Sequence, residues 1–191
     1  MHNKLLILDN YDSFTYNLVH LIEKVSNMEF DVVRNNEISL AEIDKYSHIL
    51  LSPGPGLPKD AGIMPELLKK HKSTKSILGV CLGMQAIAEE FGGTLENLPT
   101  VCHGQATPIK VSKSHYLFND CTDEFLVGRY HSWVVSKHNF PDELEATAFD
   151  KAENMMALKH KTLNISAVQF HPESILSEFG EQIIKNWLSR K

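Results

Sequence analysis

Cysteine is scarce in this chain of 191 residues: only Cys81, Cys102 and Cys121 occur. An odd number at no regular spacing argues against a disulfide framework and suits a reducing cytoplasm. There is no Cys-x-x-Cys and no His-Glu-x-x-His, so the ten histidines form no familiar zinc pattern. Cys102 and His103 are adjacent rather than spaced for chelation, and no metal site is expected. Basic runs are also missing. With a formal net charge of −5, no nucleic-acid partner is expected. No apolar run approaches the ~20 residues that cross a bilayer, so no membrane span is expected either. Met1-His2-Asn3-Lys4 leads straight into a strand-like run, so no signal peptide is expected. Repeats, low-complexity tracts and linkers are absent. What is present is ordinary for a globular protein, with 42% hydrophobic and 23% charged residues. The length fits a single domain over residues 1–191.

Continuous apolar runs alternate with helical spacing through the first half. Lys4 to Asp9 reads as a strand covered on both faces, and Phe30 to Arg34 and His48 to Leu51 read as the second and third strands. Between them, Phe14, Leu18, Leu21, Ile22 and Val25 follow a helical stripe that Asp12 or Ser13 can cap. Ile38 to Tyr46 reads as a short helical segment, and Gly62 to Lys72 as a helix. This β-α-β-α-β pattern predicts an α/β fold with a doubly wound, mostly parallel sheet flanked by helices. After Gly92-Gly93 the rhythm changes to short strand-like segments: Thr94–Leu98, Gln105–Val111, Phe125–Val135, Leu144–Phe149, Met155–His160 and Ile165–Phe170. Several of these would pair antiparallel. A final helix is expected from about Glu178 to Ser189, its apolar stripe packed on the core.

Three stretches carry chemistry. In Gly79-Val80-Cys81-Leu82-Gly83, glycines flank a cysteine between a strand and a helix. This is the strand–turn–helix elbow on which hydrolases mount a nucleophile. The helix N-terminus favours the thiolate, which is the reactive form. Ser52-Pro53-Gly54-Pro55-Gly56 follows the third strand, at the carboxyl end where open α/β sheets bind ligands. His171-Pro172-Glu173 closes the last strand. Pro172 favours an extended chain, in which His171 and Glu173 share a side, as an oriented base requires. His131, within Arg129-Tyr130-His131-Ser132-Trp133, is a rival base, but it lacks a carboxylate two residues on.

Taken together with Asp9-Asn10-Tyr11-Asp12-Ser13-Phe14-Thr15 and with Gln85, these stretches resemble the class I, triad-type glutamine amidotransferases, in the family's order and over nearly the whole chain. More narrowly, the chain is similar to the small subunits of anthranilate synthase and aminodeoxychorismate synthase. The resemblance implies a flavodoxin-like sheet. It also implies that Cys81 attacks the glutamine amide and that His171, oriented by Glu173, handles the protons. Backbone N–H groups of Leu82 and Gly56 would hold the oxyanion. Gly54, Pro55, Gly56, Gln85, Ser132 and Trp133 match glutamine-binding positions. The implied partner is a chorismate-binding large subunit (component I), which receives the ammonia in a hetero-oligomer. No cofactor is implied for this chain; the family's large subunit uses Mg. Two residues depart from the family pattern: Met84 stands where histidine is frequent, and Trp133 where leucine is.

Other readings stay open on the sequence alone. An elbow cysteine also suits a thioesterase or a cysteine peptidase, and an amidotransferase scaffold can serve as a silent regulatory subunit. The product, anthranilate or aminodeoxychorismate, is not fixed by these residues.

Overall fold

A computed structural model describes residues 3–190. The first two residues of the expected leaderless N-terminus, Met1 and His2, lie outside the described residues. Nine strands form one sheet in the order β2-β1-β3-β4-β9-β8-β7-β5-β6. Five run parallel: β1 (Lys4–Asp9), β2 (Glu29–Arg34), β3 (His48–Leu51), β4 (Ser76–Val80) and β9 (Ile165–Val168). The other four, β5 (Leu95–Val111), β6 (Glu124–Val135), β7 (Leu144–Asp150) and β8 (Met155–His160), join antiparallel. The parallel order 2-1-3-4-9 is that of a flavodoxin-like sheet, in which ligands bind at the carboxyl ends of the strands.

Strand alternation divides the core into two layers. Leu6, Leu8, Ile49, Leu51 and Ile77 face helices α2 (Met64–His71) and α3 (Leu82–Glu90). Leu5, Ile7, Leu50, Leu78 and Val80 face α1 (Thr15–Val25) and α4 (Gly180–Leu188), where Leu18, Ile22, Ile184 and Trp187 are buried. Each such aliphatic side chain stabilises the fold by roughly 1.5–3 kcal/mol relative to exposure. No helix among the described residues is long and apolar enough to cross a membrane.

Three expectations are corrected. Neither Asp12 nor Ser13 caps α1: Phe14 occupies the cap position without a side-chain bond. Asp12 instead turns back on the Phe14 amide (2.7 Å), and Asp9 accepts from Tyr11 N and Thr15 Oγ1. The segment Ile38–Tyr46 forms only a 3-10 turn, Glu42–Lys45. Glu42 accepts from both the amide and the hydroxyl of Ser39 at its start, and β3 begins at His48, which leaves no room for another turn. The two expected strands Thr94–Leu98 and Gln105–Val111 are one strand, β5, whose register against β6 is interrupted between Asn97 and Cys102 and bulges by one residue between His103 and Gln105.

Candidate active site

Cys81 ends β4 and opens α3. Its backbone sits at φ 52°, ψ −100°, a conformation that costs a non-glycine residue about 1–3 kcal/mol. Two bonds hold it there: Cys81 N donates to Val168 O (2.8 Å), and Gln85 N donates to Cys81 O (3.1 Å). The flanking glycines permit the packing rather than the turn. A Cβ on Gly79 would lie 2.6 Å from the Gly83 backbone, and one on Gly83 2.6 Å from Leu51 O. The helix can therefore press directly on β3 and β4. Leu82, in the first turn, has an amide with no carbonyl upstream in its own helix.

His171, the expected base, arrives from the neighbouring strand. β9 pairs parallel with β4, Val80 opposite Val168, so Cys81 and the residues after Val168 emerge at the same edge. The β4–β9 ladder stops at Val168 rather than at the expected Phe170, because the chain then crosses to β6. His171 bridges Gly128 there, its N donating to Gly128 O (3.0 Å). His171 Nδ1 donates to Glu173 Oε1 at 2.7 Å, and Nε2 is buried without a partner of its own. Nε2 is thus the nitrogen left for the adjacent Cys81. Burial works against charge on this imidazole, but Cys81 and Glu173 outweigh it and raise its pKa to about 10. Phe14 and Tyr130 pack their rings against it, with centroids 5.4 Å and 4.9 Å away.

His131, the rival base, is excluded by its bonds. Its Nδ1 donates to the Trp133 carbonyl (3.0 Å), and its Nε2 accepts from Arg129 Nε (3.2 Å). With both nitrogens engaged, burial first and the Arg129 charge second push its pKa down to about 3. Arg129 in turn is paired with Asp150 at 2.7 Å, both side chains almost fully buried.

A cavity of 240 Å³ opens over Cys81. Gly54, Pro55 and Gly56 form one wall, and Tyr130 to Trp133 the other, while Cys81, Leu82 and Gln85 form the floor. The volume falls below the ~300–1,000 Å³ of drug-sized ligand sites and suits a small polar molecule. Every sequence-predicted site residue except His171 and Glu173 lines it. Asn10 supports the first wall. Its backbone N donates to Ser52 Oγ, and its side chain donates to Ser52 O, both at 2.9 Å. A Cβ on Gly54 would strike Asn10. Gln85 Nε2 donates to Trp133 O (3.0 Å) and to Gln169 Oε1 (3.4 Å), which leaves its own oxygen to serve the pocket. Met84 points the other way and is fully buried in the core. The departure from the family pattern there does not reach the cavity.

Gln169 is the residue that sequence reasoning passed over. It is fully buried, and its Nε2 donates to Cys81 Sγ at 3.5 Å. It was hidden inside an apolar run, Ala167-Val168-Gln169-Phe170, although its spacing of two from His171 was a usable signal.

Comparison with known proteins agrees with this geometry. The sequence pattern of the family "Glutamine amidotransferase class-I" matches residues 6–190. A Haemophilus influenzae protein provisionally named anthranilate synthase component II is 50% identical over 186 residues, 97% of this chain and 96% of its own. Escherichia coli aminodeoxychorismate synthase component 2 is 39% identical over 188 residues, 97% of this chain and 100% of its own. Among solved structures, a Thermoplasma acidophilum protein provisionally described as a GMP synthase subunit superposes with a TM-score of 0.87 at 26% identity, covering 98% of this chain and 93% of that one. A match that runs almost from end to end, on a sheet that delivers cysteine and histidine to one edge, makes the chain a member of the class-I glutamine amidotransferase family.

Proposed function

We propose that this amidotransferase is the glutaminase subunit of a two-protein enzyme, and that it supplies ammonia to a chorismate-binding large subunit that makes anthranilate. Residues 1–191 act as one catalytic domain, in the cytoplasm and without a cofactor of their own. The observation that carries this reading is the meeting of Cys81, strained on its elbow, with a His171 that Glu173 holds at 2.7 Å.

The roles follow from that geometry. Cys81 Sγ, its proton already resting on His171 Nε2, bonds as the thiolate to the amide carbon of glutamine. The oxygen of that carbon becomes negative and is met by the backbone N–H groups of Leu82 and Gly56. One such donor is worth about 10²–10³ in rate. The tetrahedral species collapses, the C–N bond breaks, and His171 gives its proton to the departing ammonia. With a pKa near 10 the imidazole holds that proton at neutral pH. His171 then accepts a proton from water as it attacks the γ-glutamyl thioester, and glutamate leaves. Gln85, Ser132, Trp133, Gly54 and Pro55 hold the amino-acid end of the substrate. The neighbourhood is suited to a covering partner: Ile175, two residues beyond Glu173, is fully exposed.

The test is glutamate release from glutamine by the purified chain, with and without the chorismate-binding subunit of the same cell. Release that rises with partner and chorismate supports the reading. In the complex, Cys81→Ala abolishes glutamine-dependent synthesis and spares synthesis from ammonia. Loss of both in a folded complex refutes it, and no release under any condition leaves a silent regulatory subunit. A second reading, aminodeoxychorismate as product, is favoured by the full-length match to the Escherichia coli protein of that name. The fluorescence of the product separates the two.

A further inference from the structure

A buried glutamine in a core strand needs a reason, because an apolar residue would fill the same space without a desolvation cost. Gln169 has no exposure, and its side chain makes two bonds. Its Nε2 donates to Cys81 Sγ (3.5 Å), and its Oε1 accepts from Gln85 Nε2 (3.4 Å). The direction of these bonds is fixed from outside. Gln85 Nε2 also donates to the Trp133 carbonyl (3.0 Å), which can only accept. Gln85 therefore presents a donor to Gln169, whose oxygen must face it, and the Gln169 N–H group is turned onto the sulfur. The backbone adds rigidity: Gln169 N donates to Met156 O and Cys81 N donates to Val168 O.

We propose that Gln169 is a further catalytic residue, the side-chain donor to the Cys81 sulfur, and that it ties the nucleophile to the Gln85 floor of the substrate pocket. The inference rests on Cys81 being the nucleophile. Its moment of greatest use is the second half of the reaction. When water oxygen bonds to the thioester carbon and the C–S bond breaks, the electron pair stays on Sγ. The amide N–H then stabilises that pair beside the protonated His171. Gln169, His171 and Glu173 stand two apart along one short segment, which leaves β9 at Val168 and, against the extended chain expected around Pro172, turns at Pro172-Glu173, where Ser174 N donates to His171 O (3.1 Å). The same stretch of chain thereby supplies a donor to the sulfur, a proton carrier, and the carboxylate that orients it.

The experiment compares the native complex with Gln169→Met, which keeps the bulk and removes both polar atoms. Gln169→Glu, which keeps an oxygen for Gln85, is the second variant. Two readouts are taken: steady-state glutaminase kinetics, and the rate of Cys81 alkylation by iodoacetamide, resolved from Cys102 and Cys121 by peptide mass. Hydrogen bonds to a charged partner predict a fall in kcat of about tenfold to a hundredfold, with KM for glutamine changed by less than about threefold. Cys81 alkylation near neutral pH slows by a comparable factor in both variants. Native kcat and native alkylation in a folded variant overturn the proposal. So does a raised KM with unchanged kcat, which would make Gln169 a support for Gln85 alone. A third readout needs no variant: in the native chain the side-chain amide resonance of Gln169 moves with pH in step with Cys81 alkylation, and a stationary resonance overturns the proposal. Absence of glutamate release by the native complex would instead remove the glutaminase reading itself.

Discussion

His171 follows the last parallel strand, and His131 sits on β6 of the antiparallel half. The two are close enough for His171 to influence the charge on His131. The parallel half holds its histidine protonated, with a pKa raised to about 10 against burial, because it places the Cys81 sulfur beside one nitrogen and a carboxylate on the other. The antiparallel half holds its histidine neutral, with a pKa near 3, because it buries the ring and places a carbonyl on one nitrogen and a guanidinium on the other. Burial alone would make both neutral. The difference teaches that the halves divide the work. Strands β1, β3, β4 and β9 bring reactive groups to one edge, and β5 to β8 build a polar wall that fixes the shape of the pocket. That wall is a continuous chain of bonds from Asp150 through Arg129, His131 and the Trp133 carbonyl to Gln85.

Exchanging the two histidines for inert residues is the strongest way to break this comparison. His171→Ala is expected to lower kcat by about 10³–10⁴, the upper range for a general acid–base group. His131→Asn is expected to raise KM for glutamine while leaving kcat within about tenfold. Steady-state kinetics on both variants decides the matter, and a kcat collapse in His131→Asn would return the rival base to contention. Next in size is Arg129→Met, which strands Asp150 in the interior. Its carboxyl lies below the ordinary range although burial raises it, because Asn154 and Arg129 together outweigh burial. Removing one partner of a pair this buried costs about 3–5 kcal/mol, readable by urea denaturation. The same change in an exposed pair such as Lys110–Glu124 is expected to cost under about 1 kcal/mol.

The charge difference also predicts how stability responds to pH. His115 lies between Thr147 and Ser166 and, like His131, is held near pKa 3, by burial first. Unfolded, each titrates near 6.5. Between about pH 6.5 and 3 the unfolded chain binds protons that these two sites refuse. Stability therefore falls with falling pH, by about 1.4 kcal/mol per unit for each histidine. His171 acts in the opposite sense. Its contribution is complete below about pH 6.5 and is lost as the pH rises through 10. Denaturant midpoints between pH 4 and 6.5 should show a shallower acid slope in His115→Asn, by up to about 1.4 kcal/mol per pH unit. An unchanged slope would mean that the antiparallel half does not keep its histidines neutral.

The parallel half was largely legible in the sequence, because β1 and β3 carry continuous apolar runs and Cys81 is bracketed by glycines. β3 was expected at His48–Leu51 and is there. The antiparallel half was harder to read. Pro99 and Gly104 look like a break in β5, and Gly104 does take a positive φ of 64°. In an antiparallel pair such residues can be absorbed as bulges, and only the partner strand decides that. The bond chain of the wall was not legible at all. Arg129 and Asp150 are 21 residues apart, and Gln85 and Gln169 are 84 apart, so no local spacing connects them. β8, by contrast, was expected at Met155–His160 and is there, since its signal is local.

Trp133 is where the two halves meet, and it sharpens the comparison with the smallest effect. Its indole lines the cavity, half-buried, but its carbonyl is what accepts from both His131 and Gln85. The backbone contribution does not depend on which side chain the residue carries. Trp133→Leu, the residue frequent in the family, is therefore expected to leave the wall intact and to change KM for glutamine by about tenfold or less, the low end of the ~1–3 kcal/mol that one hydrophobic contact is worth. The kcat should not move, since nothing on the indole touches Cys81 or His171 among the bonds of the site. A change in kcat comparable to that of His171→Ala would show that the antiparallel wall enters the chemistry itself, and the division of labour between the halves would then have to be abandoned.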